Sequence, residues 1–192
     1  MHEDSEIRRL LGDTVSRAVL ESMPGLLVAA RTFAARSWDS AAQPPADPLE
    51  RRFGPVGLTI SRRWMPQPPD PRRLAWLVED SAMITLSAMG SKNTPTLEAY
   101  LDQRGAVTHD GYYRIGAREL YHPSGMNGRE LGETAPQLPE RPIRYLRLLR
   151  MRRAILMLSV EASGSLPESI GAAFASAFHS IRVEPRLSAE AL

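Results

Sequence analysis

The chain has 192 residues, 43% of them hydrophobic and 24% charged, with a mean hydropathy of -0.27, and that balance excludes a wholly disordered chain, a collagen and a polytopic membrane protein. No cysteine is present, so disulfide frameworks, thiolate zinc sites, iron–sulfur clusters and cysteine nucleophiles are excluded, while a histidine/carboxylate metal site is not. Lys92 is the only lysine among 24 basic residues; arginine suits forked contacts to carboxylate or phosphate, but a net charge of +2 is too small to mark a nucleic-acid binder.

Residues 4–21 place Ile7, Leu10, Leu11, Val15, Ala18 and Val19 at the three-and-four spacing of one helical stripe. Asp4 or Ser5 can cap this helix, Glu6 suits its first turn, and Pro24-Gly25 ends it. A second stripe follows, with Leu26, Leu27, Ala30, Phe33 and Ala34 on one side. The opening His2-Glu3-Asp4-Ser5-Glu6 lacks the basic start of a secretory signal. The apolar run 23–35 is broken by Pro24-Gly25, carries Arg31 and falls short of the roughly 20 residues that span a bilayer. A cytoplasmic protein without a transmembrane segment is the expectation.

From 39 to 55 the composition turns to Ala, Pro and Asp, and Gln43-Pro44-Pro45-Ala46-Asp47-Pro48 cannot hold a helix. A linker is predicted here, dividing an N-terminal helical segment (1–38) from a body (56–184), with 185–192 as a tail. In the body the period changes to two. Val56, Leu58 and Ile60, then Leu74, Trp76 and Val78, then Ala82, Ile84, Leu86 and Ala88 each predict one strand face. Thr94-Pro95 predicts the start of a helix through Leu97, Tyr100 and Leu101 that Gly105 ends. Strand patterns return at Tyr113, Ile115 and Ala117, weakly over 129–134, and in a hairpin of 143–149 and 154–160. The last of these is apolar at almost every position, as a central strand covered on both faces should be. Ser165-Leu166-Pro167-Glu168 matches a capping box before an apolar stripe of Ile170, Phe174, Ala177, Phe178 and Ile181. The predicted class is α+β, an antiparallel sheet flanked by helices, with an N-terminal helical extension.

These residues resemble the PsbP-like fold, an α/β/α sandwich shared by the photosystem II extrinsic subunit, a Ran-binding nuclear-transport protein, LpqN-type lipoproteins and the Eag chaperones of type VI secretion. The resemblance rests on Leu58-Thr59-Ile60-Ser61-Arg62-Arg63-Trp64, a strand running into a tryptophan, and on the helix opening Thr94-Pro95-Thr96-Leu97-Glu98-Ala99-Tyr100-Leu101. Gly128-Arg129-Glu130-Leu131 and the C-terminal helix ending Ala173-Phe174-Ala175-Ser176-Ala177-Phe178-His179-Ser180-Ile181-Arg182-Val183 complete it. About two thirds of the chain is covered, by packing and capping signals rather than a catalytic signature. The resemblance implies non-catalytic binding, as an adaptor, assembly factor or chaperone, with no cofactor. It carries no residue role across. The N-terminal segment and linker have no counterpart in the minimal fold, and the lipobox cysteine is missing.

Catalytic constellations are sparse. His2, His109, His122 and His179 show no pair at metal-ligand spacing. His109-Asp110 with His122 is a conceivable base with an orienting carboxylate, and Ser124 a conceivable nucleophile, though it lacks the first glycine of the G-x-S-x-G elbow; turn residues are the simpler reading of both. Arg141, Arg144, Arg147, Arg150, Arg152 and Arg153 form the densest basic run, but a step of three swaps faces along a strand, so a solvated hairpin is expected rather than one basic face. Leu26, Leu27, Phe33 and Trp38 must either dock on the body or remain available to a partner. The expected function is a cofactor-free adaptor or chaperone for another protein, most concretely for secreted effectors, that holds an apolar segment in a groove or on a sheet face capped or partly formed by the N-terminal helices. Leu26, Leu27, Phe33, Trp38, Arg150, Arg152 and Arg153 are the candidate partner-binding residues. The alternatives are a small serine/histidine hydrolase and a binder of anionic lipid or nucleic acid through the hairpin arginines.

Overall fold

Alternating apolar residues form strands wherever the sequence carries them, and one long hairpin organises the rest. A computed structural model describes residues 24–90, 96–105, 107–138, 140, 142–152 and 154–184. The stripe at 4–21, the Thr94-Pro95 start, Arg141, Arg153 and the tail lie outside the described residues. The elements in chain order are α1 (Pro24–Ala35), α2 (Trp38–Ala41), β1 (Pro48–Phe53), β2 (Val56–Ser61), β3 (Met65–Pro66), β4 (Arg73–Val78), β5 (Ala82–Gly90), α3 (Leu97–Arg104), β6 (Tyr113–Tyr121), β7 (Asn127–Thr134), β8 (Pro142–Arg150), β9 (Ala154–Ser163), α4 (Glu168–His179) and β10 (Arg182–Val183). Seven strands make an antiparallel sheet in the order β3-β4-β5-β9-β8-β7-β6, and β1-β2-β10 make a smaller antiparallel one. This is the α+β arrangement that the sequence predicts, and the continuously apolar β9 takes the centre of the large sheet.

Side-chain parity divides the core between the two faces of the large sheet. Ile84, Leu86, Leu156, Leu158 and Val160 pack with Phe174 and Phe178 of α4 and with Leu26, Phe33 and Trp38 from the N-terminal segment. Leu131, Leu146, Leu148 and Ile155 turn to the other face and meet Leu97, Tyr100 and Leu101 of α3.

Three local expectations are corrected. The 39–55 segment is not an irregular linker throughout: α2 opens it, and β1 pairs with β2 from Pro48↔Ser61 to Phe53↔Val56. Pro48 is tolerated because it is the first strand residue, and Leu49 and Phe53 alternate onto the core. The capping box does not form, since the α4 N-cap is Pro167 without a side-chain bond and the Glu168 carboxylate instead accepts the Trp38 indole N–H at 3.0 Å. Thr96, whose hydroxyl accepts the Ala99 N–H, caps α3, and Gly105 ends it with φ 69°.

Phe33 and Trp38 are seated on glycines. Phe33 lies over Gly116 and Gly132, a cross-strand pair, and Trp38 lies over Gly171 in the interior of α4; a Cβ on any of the three would overlap the ring above it. Gly-to-Ala in a helix interior ordinarily stabilises by about 0.5–1 kcal/mol. Gly171→Ala is expected instead to destabilise by about 1–3 kcal/mol through overpacking in denaturant unfolding, and a Trp38→Ala background should cancel that penalty. A stabilised Gly171→Ala single variant would show that Trp38 is not docked there.

Candidate functional site

Two glutamates three residues apart on β7 point to opposite faces, and each meets an arginine at the matching position of β8: Glu130↔Arg147 and Glu133↔Arg144. On the α1 and α4 face, Glu130 is 0% exposed. Its carboxylate receives Arg147 Nε at 3.0 Å and Arg118 Nε of β6 at 2.6 Å, with Arg36 Nη2 at 2.9 Å. On the α3 face, Glu133 receives Arg144 Nε at 2.9 Å and Arg104 Nε of α3 at 2.6 Å. Each buried carboxylate thus draws arginines from a neighbouring strand and from the helical layer above it. Burial pushes the Glu130 carboxyl up, but Arg147, Arg36 and Arg118 together outweigh it and hold the group below the usual carboxylate range.

The first of these clusters anchors the segment after α1. Arg147 donates to both Asp39 oxygens at 2.9 and 3.0 Å, and His179 Nε2 lies 2.9 Å from Asp39 Oδ1. The Arg36 guanidinium sits 3.9, 4.3 and 4.6 Å from the ring centres of Phe33, Tyr145 and Trp38, where cation–π attraction replaces part of the lost hydration. Burial lowers its affinity for the proton, and Glu130 partly restores it.

Leu26, Phe33 and Trp38 are therefore buried against the chain's own body, and Leu27 is half-buried. Of the two fates open to these side chains, docking on the body is the one that Leu26, Phe33 and Trp38 adopt. The opposite flank of α1 walls an apolar groove of about 400 Å³, lined by Val28, Ala29, Thr32, Ile143, Tyr145 and Leu166 among others. Val28 is 64% exposed. The apolar periodicity of α1 marks its docked stripe; nothing in it distinguishes Val28, the residue left outside.

The expectation of a solvated arginine hairpin is corrected at Arg147 and Arg144, whose side chains are 0% and 14% exposed and salt-bridged. Arg150 donates to the Met151 and Ala154 carbonyls, and Arg152 is exposed.

A second, more polar depression of about 570 Å³ lies on the α3 face, with Tyr100, Arg104, Asp110, Arg144, Met157 and Glu161 in its lining. Burial raises the Asp110 carboxyl, but Arg144 and Thr108 bring it down to about 2. Burial and then Glu161 raise the Tyr112 hydroxyl, and Arg144 stacks 3.8 Å above the Tyr112 ring.

His122 is buried, with Nε2 2.9 Å from the Phe178 carbonyl oxygen and Nδ1 2.7 Å from Ser124 Oγ. The Ser124 N–H also donates to Nδ1, so Nδ1 is the acceptor and Nε2 carries the proton. In a Ser-His-Asp arrangement a carboxylate orients the far ring nitrogen; on His122 a backbone carbonyl holds that place. Asp110 is taken by Arg144 and Thr108, and His109 is exposed. Among the described residues no three His, Asp or Glu side chains gather as a metal site, and no helix is long and apolar enough to cross a membrane.

No protein-family model matches the chain, and no curated protein matches it. Among solved structures it is similar to the Ran-binding protein Mog1p of Saccharomyces cerevisiae, at 10% identity over 73% of this chain and 97% of that one, with a TM-score of 0.53. It is also similar to the cyanobacterial PsbP (CyanoP) of Synechocystis, at 9% identity over 71% and 91% of the two chains, with a TM-score of 0.52. The chain has the PsbP-like fold that these proteins share.

Removing one partner from a buried ionic cluster leaves the others uncompensated. Glu130→Gln is expected to lose about 3–5 kcal/mol of unfolding free energy, whereas Arg63→Ala, which removes the exposed Asp47 pair, should stay within about 1 kcal/mol of wild type. Burial, before the neighbouring His179, lowers His122 against its unfolded value although the Phe178 carbonyl raises it. The unfolded state then binds the proton more readily, so this group's contribution is full above the unfolded value and falls as the pH drops through the folded one. Melting curves between pH 7 and 5 should show a shallower loss of stability in His122→Asn than in wild type; an unchanged slope would exclude His122 as its source.

Proposed function

We propose that the protein is a non-catalytic, protein-binding adaptor or chaperone acting in the cytoplasm, and that the groove beside α1 receives an apolar segment of its partner. The observation that carries this reading is the groove itself: about 400 Å³, with more apolar than polar lining, and walled by α1, whose Leu26 and Phe33 are already packed into the core. A docked, rigid wall lowers the ordering cost that a partner would otherwise meet on binding. Val28 on the rim and Ile143, Tyr145 and Leu166 within it suit one or two aliphatic or aromatic side chains presented by a peptide. The fold shared with a Ran-binding protein supports a protein as the partner. The engagement of both His122 nitrogens and of Asp110 supports a role without catalysis.

A chaperone for secreted effectors is the sharpest form of the proposal. It rests on the resemblance to the secretion-chaperone branch of the fold, and an apolar effector segment is the occupant it requires.

A photo-crosslinking residue at Val28 of the full chain is expected to capture an apolar segment of one partner in cells, with the joined peptides identified by mass spectrometry. The exposed groove substitution Thr32→Arg should abolish that capture by placing a charge among the apolar contacts, and the same probe at Met89, on the other face, should not capture the partner. Capture at Val28 that survives Thr32→Arg, or no capture there, would overturn the groove as the binding site.

A further inference from the structure

Among the described residues, β1 has β2 as its one neighbour and forms an edge of the small sheet. Opposite pairs in an antiparallel ladder alternate between hydrogen-bonded and non-hydrogen-bonded. Arg62 N–H donates to Asp47 O at 3.0 Å, one step beyond the named register, so Leu49/Ile60, Arg51/Leu58 and Phe53/Val56 are the hydrogen-bonded pairs that follow. Thr59 N–H points away from β1 and donates to Ser180 Oγ at 2.8 Å, as this alternation requires. Pro48, Glu50 and Arg52 consequently turn their main-chain groups outward along the free edge.

From this edge we infer that β1 pairs antiparallel with β1 of a second copy of this chain, about a two-fold axis at Arg51. This register places Glu50 opposite Arg52 of the second copy, and Arg52 opposite its Glu50. The outward N–H and C=O groups of each pair exchange hydrogen bonds, and opposite charges meet on one face. Room for the charges exists, because the residues beside Arg52 and Glu50 on β2 are Gly57 and Thr59, and open space surrounds Gly57. On the other face, half-buried Leu49 meets half-buried Phe53 of the second copy.

The neighbouring registers of the same parity are repulsive. Centring on residue 50 sets Glu50 against Glu50, and centring on residue 52 sets Arg52 against Arg52. The edge charges that discourage indiscriminate strand addition therefore permit one pairing and oppose its alternatives. One like-charge contact remains at the axis, between the two Arg51 side chains; it is exposed and screened by solvent and salt. Arg52 also meets Glu184 at 2.8 Å, but both side chains are well exposed, at 71% and 45%, so this pair competes weakly. The symmetric contact closes on itself as a dimer of small sheets.

Sedimentation of the full chain across a concentration series tests the dimer. The expected result is a concentration-dependent monomer–dimer equilibrium that weakens in high salt. Glu50→Arg and Arg52→Glu alone should each weaken it by about tenfold or more, the Glu50→Arg/Arg52→Glu double variant should restore it, and Arg51→Thr should tighten it. All these positions are exposed, and circular dichroism confirms that each variant folds. A wild-type chain that stays monomeric, a dimer indifferent to the single substitutions, or a double variant that fails to recover would each overturn the proposal.

Discussion

The constraint on which most of this structure depends is the placement of two carboxylates on β7. Glu130 and Glu133 lie at 0% exposure and 1% side-chain exposure, respectively, and a buried charge without a partner is among the costliest defects a core can hold. Both are resolved by one register, because the spacing from Glu130 to Glu133 equals that from Arg144 to Arg147 on the antiparallel neighbour. A slip of one residue would set Glu130 against Leu146 or Leu148 and turn it to the wrong face. The two ionic pairs are satisfied together only in this alignment of β7 and β8. Ionic pairing here supplies specificity of alignment, whether or not it adds net stability over an apolar core of the same volume.

The same carboxylates recruit the layers above the sheet. Glu133 takes Arg104 from α3, and Glu130 takes Arg36 from the chain after α1, while Arg147 spans from Glu130 to Asp39. Residues 24–41 are consequently packed onto the sheet as part of the body. Phe33 and Trp38 fill the spaces left by Gly116, Gly132 and Gly171, and Arg36 is enclosed by Phe33, Trp38 and Tyr145. Docking by one flank leaves the other flank of α1 as a wall, so the groove at Val28 follows from how the helix is held.

Elements whose information is local were legible in the sequence. The alternation of Val56, Leu58 and Ile60 and of Leu74, Trp76 and Val78 becomes strand. The continuous apolar run of 154–160 becomes the central strand, and the stripe from Ile170 to Ile181 is buried. The misread features depend on distant partners. Glu168 has the spacing of a capping box, yet a tryptophan 130 positions away claims its carboxylate. Gly116, Gly132 and Gly171 carry no local sign of the distant rings that occupy the space above them. The proline-rich 39–55 segment hides a strand because Pro48 stands at its first position, where no ladder donor is required. The equal spacing of Glu130/Glu133 and Arg144/Arg147 was visible, but it acquires meaning only when the two strands are paired in register.

Fold and groove also differ in what sustains them. The similarity to Mog1p spans 73% of this chain at 10% identity, and at that identity it speaks for backbone topology and not for side chains. The groove is made by particular side chains: Val28 and Thr32 on α1, Tyr145 beneath Arg36, and Leu166 before α4. Its wall stays in place through Arg36, Asp39 and the ring-on-glycine contacts. A chain with the same topology but without those residues would keep the sheet and lose the groove. The groove therefore depends on how residues 24–41 are pinned to the sheet, and Glu130, the β7 carboxylate that aligns the strands, is also a group that holds that segment down through Arg36 and Arg147.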